Sequence, residues 1–98
     1  MKTIEELIQE FLDFFKEHFT FTLDFYYPEL LKEVSEAIKD YIPEAIRKAN
    51  EITEAAKETE CDPELLKQFD RTRTKLMAAK IIVQATLGIN SFENIIKY

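Results

Sequence analysis

The stretch from residue 11 to residue 27, FLDFFKEHFTFTLDFYY, contains eight of the twelve aromatic residues of the chain. Burying one phenylalanine side chain contributes roughly 1.5–3 kcal/mol, so this stretch must supply much of any core. Its first half, through Phe19, has apolar side chains at helical spacing, whereas residues 19–27 alternate apolar and polar side chains as a strand does. A lone strand is not stable by itself. We therefore expect residues 20–27 to form an extended, packed connector that could pair with its own copy in a dimer.

The composition restricts the class of protein. The 98 residues are enough for one domain, covering 1–98, and the single glycine argues against a fold with many tight turns. The net charge of −6 disfavours nucleic-acid binding, because such binding needs an excess of lysine and arginine. The lone Cys61 cannot form an intramolecular disulfide. The charged, amphipathic start and the lack of an apolar run long enough for a membrane span predict a cytoplasmic protein with no membrane partner.

Capping signals define the first two main helices. Thr3 and Glu6 form a capping box ahead of a helix at about residues 4–19. Pro28 suits the first position of a second helix, at about residues 28–59. The apolar periodicity of that helix continues through Pro43 without a change of phase, so we expect a kink near Pro43 rather than a break. A helix of this length spans on the order of 48 Å and would overhang a small domain, which favours a partner.

Equally clear signals define the remaining helices. Asp62 is a good N-cap and Pro63 a good first residue for a third helix at residues 63–87, which Gly88 ends. From Leu76 to Leu87 this helix is apolar on most sides, so we expect that half to be deeply buried. A short C-terminal helix at 92–98 follows. The predicted fold is all-α: a helical bundle of three main helices and a short last one.

An acidic stripe on the long helix is the first candidate for chemistry. Glu33 and Glu36 lie one helical turn apart, as do Glu51 and Glu54, and paired carboxylates suit Mg²⁺ or Mn²⁺. The segment LLKEVSEAI resembles the first acidic motif of the all-α nucleotide pyrophosphohydrolases. The resemblance implies a metal-dependent phosphohydrolase, but the Glu-x-x-Asp that this family carries on the next helix is absent. Pairing with lysine or arginine at i,i+4, as in Lys32–Glu36, Glu44–Lys48 and Arg47–Glu51, instead favours a solvated helix face.

A basic segment in the third helix is the second candidate. Arg71, Arg73 and Lys75 could bind phosphate, since arginine offers a planar fork of donors. We prefer the alternative that this segment lies against the acidic stripe, within one chain or across a dimer, where complementary charge would fix the register. No aromatic residues are interleaved with these cations, which weakens a reading as a single-strand nucleic-acid binder.

His18 and Cys61 are the remaining candidates. His18 is the only histidine and has no serine, cysteine or second histidine near it in sequence, so a structural role in packing is expected. The thiol of Cys61 precedes a helix start, which would lower its pKa, but neighbouring carboxylates oppose that effect. We expect Cys61 to pack against Leu66 as a hydrophobic staple.

These observations favour a non-enzymatic interaction or assembly protein that forms a homo-oligomer, with a dimer preferred, or that binds another protein. No catalytic residue and no cofactor is assigned. The expected interface is the aromatic segment, which comprises Phe21, Leu23, Phe25, Tyr26 and Tyr27. The alternative is an all-α nucleotide phosphohydrolase with Mg²⁺ or Mn²⁺ as cofactor. In that alternative Glu33, Glu36, Glu51 and Glu54 would bind the metal, and Arg71, Arg73 and Lys75 would bind phosphate.

Overall fold

The computed structural model describes residues 2–19 and 27–89, and all the regular structure in these ranges is helical. The α-helices are α1 (Ile4–His18), α2 (Leu31–Ile38), α3 (Ile42–Glu58) and α4 (Pro63–Leu87). Two 3₁₀ turns, Pro28–Leu30 and Lys39–Tyr41, precede α2 and α3. The all-α prediction is therefore confirmed. The predicted connector, apart from Tyr27, and the predicted C-terminal helix lie outside the described residues.

The capping box at the start of α1 is present as predicted. The Thr3 hydroxyl accepts a hydrogen bond from the Glu6 backbone N–H at 3.2 Å, and the Glu6 carboxylate accepts one from the Thr3 N–H at 3.3 Å. These two bonds satisfy donors that a helix start leaves free. Ile4, Ile8 and Phe11 then turn one face of α1 inward, and Phe19 is buried just after the helix ends.

The helical run at residues 28–58 is interrupted one turn before Pro43. The proline ring would clash with the carbonyl of the residue four positions back, and it lacks an N–H to bond that carbonyl. Tightening the chain into the 3₁₀ turn Lys39–Tyr41 places Pro43 in the first turn of α3, where no such bond is needed. The predicted position of the irregularity is correct. As predicted, residues 28–58 form one helical run with an irregularity near Pro43, and this 3₁₀ turn divides the run into α2 and α3.

The helices pack so that α4 contacts all the others. α1 packs on α3 and α4, and α2 packs on α4. Phe11 of α1 meets Phe69 of α4, and Glu5 lies close enough to Cys61 to affect its thiol, so α1 and α4 run in the same direction. Because α2 and α3 both lie against α4, the part of the chain predicted to overhang the domain has an intrachain partner.

One continuous core joins α1, α3 and α4 and includes Ile38 of α2. Its fully enclosed side chains include Ile8 and Phe11 from α1, Ile46 and Ile52 from α3, and Leu76 from α4. Asp62 caps α4 by accepting a hydrogen bond from the Glu64 N–H at 3.1 Å, and Gly88 ends the helix with φ +67°, both as predicted. These core contacts hold α4 along the domain, between its N-cap at Asp62 and its end at Gly88.

Candidate functional site

The carboxylates predicted as metal ligands lie on two separate helices. Glu33 and Glu36 are in α2, whereas Glu51 and Glu54 are in α3 beyond the 3₁₀ turn. Glu36 pairs with Lys39 at 2.8 Å, and this hydrogen bond lowers the pKa of the Glu36 carboxyl. Glu54 pairs with Lys57 at 3.1 Å. Within residues 2–19 and 27–89, no three histidine, cysteine or acidic side chains come together as a metal site would require.

Glu44, another acidic side chain on α3, is also paired within its own helix. Glu44 lies between Arg47 and Lys48, its Oε1 being 3.7 Å from the Lys48 Nζ. The hydrogen bond from Arg47 is the main cause of the lowered pKa of Glu44. Of the predicted i,i+4 pairs, Glu44–Lys48 is confirmed, while Glu36 and Arg47 pair at i,i+3 instead of with Lys32 and Glu51. The acidic stripe is thus a solvated face on which Glu36, Glu44 and Glu54 pair with cations of the same helical run.

The basic segment of α4 has no such partners. Arg71, Arg73, Lys75 and Lys80 have no carboxylate oxygen within 4.0 Å among the residues that the structure describes. The preferred prediction is that this segment lies against the acidic stripe. Among the described residues, no ion pair joins these two surfaces of the chain. Arg73 and Lys75 are about 200° apart around the helix, so the three residues predicted to bind phosphate do not converge on one ion.

The outward face of the C-terminal half of α4 corrects another prediction. Ala78, Ile81 and Ala85 are exposed, and Ile81 keeps 62% of its surface accessible. The same half of the helix buries Leu76, Ala79 and Val83 on its inner side. The expectation of deep burial therefore fails for the outer side. Periodicity shows that the helix is apolar on most sides, but it cannot show which side the rest of the chain covers.

His18 has the packing role that was predicted. Its ring stacks on Tyr41, with centroids 4.0 Å apart, and contacts Phe14 at 4.5 Å. The Nζ of Lys48 lies 5.4 Å from the centre of the Phe14 ring, in a cation–π geometry. This cluster connects the end of α1 to the turn before α3. Its contacts are aromatic packing, and the Oε2 of the exposed Glu17 lies 3.8 Å from the Nε2 of His18.

Cys61 lies in a shallow surface depression between the end of α3 and the start of α4, which Ala56, Pro63 and Leu66 also line. Cys61 and Leu66 both pack against the core, in keeping with the predicted staple. Burial raises the pKa of the Cys61 thiol, and the carboxylates of Glu5 and Asp62 raise it further. A raised pKa reduces the thiolate fraction, so the thiol is poorly suited to act as a nucleophile.

Two buried polar groups were not found from the sequence. The hydroxyl of Ser35 and the side-chain nitrogen of Gln84 are buried, and neither has a hydrogen-bond partner in the described part of the chain. Ser35 lies in α2 and Gln84 in α4, two helices that pack together. The sequence places the polar Ser35 beside Val34 within an apolar periodicity. That pattern indicates that Ser35 faces inward, but it does not indicate which groups surround the hydroxyl.

The predicted aromatic interface is described only at its last residue. Tyr27 is 56% exposed and Tyr41, in the turn before α3, is 39% exposed. Phe21, Leu23, Phe25 and Tyr26 lie outside the described residues. Tyr27, Tyr41 and Ile81 are the large apolar side chains that stand out as exposed in the described part of the chain.

Comparison of the chain with protein-family models, with curated proteins and with solved structures gives no match. Among the helices in the described ranges, none is both long enough and apolar enough to cross a bilayer. The candidate site therefore depends on the geometry of this chain alone, and its most distinctive feature is the uncovered face of α4.

Proposed function

We propose that this chain is a non-enzymatic helical interaction protein that assembles with copies of itself. The observation that carries the proposal is the outer face of α4, where Ile81 is exposed and Arg71 has no ion-pair partner among residues 2–19 and 27–89. A helix that is apolar on most sides gains stability only when those sides are covered. Ile81, at 62% exposure, is the largest side chain on this face.

The chemistry of the other candidates supports the same proposal. Glu36 and Glu54 of the acidic stripe pair with neighbouring lysines, His18 is held in aromatic packing, and the pKa of Cys61 is raised. An acid–base or nucleophilic mechanism needs such groups within hydrogen-bond reach of one another. The metal-dependent phosphohydrolase gains no comparable supporting observation. The proposal keeps the expectation of a cytoplasmic location.

Sedimentation velocity on purified protein, from about 1 µM to about 1 mM, tests the proposal. We expect the weight-average mass to rise from that of a monomer toward that of a dimer. A mass that stays monomeric throughout this range would contradict the proposal. The aromatic segment is tested in the same assay by Tyr27→Ser, which should weaken assembly if that segment contributes to the interface.

A further inference from the structure

We propose that two copies of the chain pair through α4 in an antiparallel arrangement, with a two-fold axis crossing between Ala78 and Ile81. This inference rests on the proposed function and specifies the surface and the geometry of self-association. The outer face of α4 is the surface, and a second copy is the occupant.

The spacing along α4 is that of a helix-pairing seam. Positions 71, 74, 78, 81, 85 and 88 follow one another in alternating steps of three and four residues. This is the spacing at which one helix keeps a single line of side chains against another helix. The three central members, Ala78, Ile81 and Ala85, are exposed. Thr74, the preceding member, has its hydroxyl bonded to the Asp70 carbonyl at 2.9 Å, so it brings no unsatisfied donor to the seam.

Side-chain size favours the antiparallel register. The seam positions are symmetric about the point midway between residues 78 and 81. A two-fold axis at that point therefore sets Ala78 opposite the partner's Ile81, and Thr74 opposite the partner's Ala85. Each large side chain then meets a small one, which is how facing layers of helices interdigitate without voids. Small residues in the seam also allow the two helices to approach closely.

Charge favours the same register. Arg71 comes opposite the partner's Gly88, at the C-terminal end of the partner's α4. That end carries a partial negative charge, and the last turn of α4 contains no basic side chain of its own. Arg71 has no carboxylate within 4.0 Å in the described part of its own chain, so it is free to make this contact. A parallel pair would instead bring Arg71 beside the partner's Arg71 and Lys67 beside the partner's Lys67, which is repulsive.

The predicted contact is small. One helix from each copy buries an area at or below about 1,200 Å², the low end of specific interfaces. We therefore expect a reversible dimer with a micromolar dissociation constant rather than a permanent one.

Sedimentation of Ile81→Glu tests the surface. We expect the dissociation constant to rise at least about tenfold, because each copy loses a buried isoleucine and gains a charge. Ile81 is exposed in the single chain, so circular dichroism and the melting temperature should stay unchanged. Ala37→Glu is the matched control, since it adds the same charge to an exposed alanine on α2. It should leave the dissociation constant within about twofold of the original.

Spin labels test the geometry. Gln68→Cys in a Cys61→Ser background places one label per chain on an exposed position of α4. Residue 68 lies about 17 Å along the helix from the proposed axis, so the antiparallel dimer predicts a separation of about 35 Å. A parallel pair predicts about 10–15 Å.

The outcomes separate this inference from the proposed function. A dimer that Ile81→Glu does not weaken, or one with the short distance, overturns the antiparallel α4 pairing and leaves self-association standing. A strict monomer overturns both.

Discussion

The rings of Phe11 and Phe69 meet edge to face, with centroids 5.3 Å apart and planes inclined by 68°. Both side chains are buried, at 0% and 2% exposure, and they join α1 to α4. Replacing Phe69 by alanine should lower the free energy of unfolding by about 3–5 kcal/mol, because the change removes the ring contact and leaves a cavity. Urea unfolding followed by circular dichroism measures it. Phe69→Leu should cost clearly less, and equal losses for the two variants would show that the ring contact is unimportant.

Ser35 is a position where a smaller, apolar side chain should stabilise the protein. Its hydroxyl is fully buried and has no hydrogen-bond partner among the residues that the structure describes, so it bears the cost of losing water without compensation. Ser35→Ala should raise the free energy of unfolding by about 1 kcal/mol. The control is Thr74→Ala, which removes an exposed helical hydroxyl bonded to the Asp70 carbonyl. If Ser35→Ala is destabilising, the hydroxyl has a partner in solution and the argument is wrong.

Pro43 should be nearly neutral for stability. It lies in the first turn of α3, where the missing N–H has no carbonyl to bond. Pro43→Ala should therefore change the free energy of unfolding by less than about 1 kcal/mol, the size of the effect on the unfolded chain. Glu51→Pro is the contrast: this residue is exposed in the interior of α3, and proline there should cost about 3 kcal/mol or more. A large gain from Pro43→Ala would mean that the 3₁₀ turn stores strain.

Cys61 should be alkylated more slowly than a cysteine in an unfolded peptide. Burial and the nearby carboxylates raise its thiol pKa, and only the thiolate reacts, so the reactive fraction at a given pH is smaller. The pH at which the iodoacetamide rate reaches half its maximum should lie above that of the peptide. Asp62→Asn removes one of these charges and keeps a good N-cap, so it should shift that pH downward. Glu33→Gln removes a distant charge and should not shift that pH. An equal shift in both variants would show that the charge of Asp62 is not a local cause.

Boundaries set by local chemistry could be predicted from the sequence. The capping box at Thr3, the Asp62–Pro63 start and the Gly88 end each act through backbone groups within one turn, and the helices begin and end there. The position of the irregularity near Pro43 follows from the same local rule. These features do not depend on how the helices pack.

Features that depend on which side of a helix packs against its neighbours could not be predicted. The apolar pattern of α4 is the same whether Ile81 faces the core or solvent, and only the placement of the other three helices decides between them. The choice of Glu36 between Lys32 and Lys39 depends on rotamers at two nearly equivalent spacings. The missing partner of Ser35 reflects the neighbouring helix, which no pattern within α2 describes.

The left-handed conformation of Gly88 implies a chemical asymmetry at the end of α4. A β-carbon at residue 88 would meet no described atom within 4 Å, so steric crowding does not require glycine there. The backbone angle φ of +67° is what requires it. L-alanine at this position would cost about 1–2 kcal/mol of backbone strain. D-alanine, whose favoured backbone angles are the mirror image, fits the same conformation and restricts the unfolded chain. A chemically synthesised protein with D-alanine in place of Gly88 should thus be more stable by about 0.4–1 kcal/mol, measured by thermal unfolding. In this fold, handedness at a single α-carbon decides whether an added methyl group stabilises the chain or strains it.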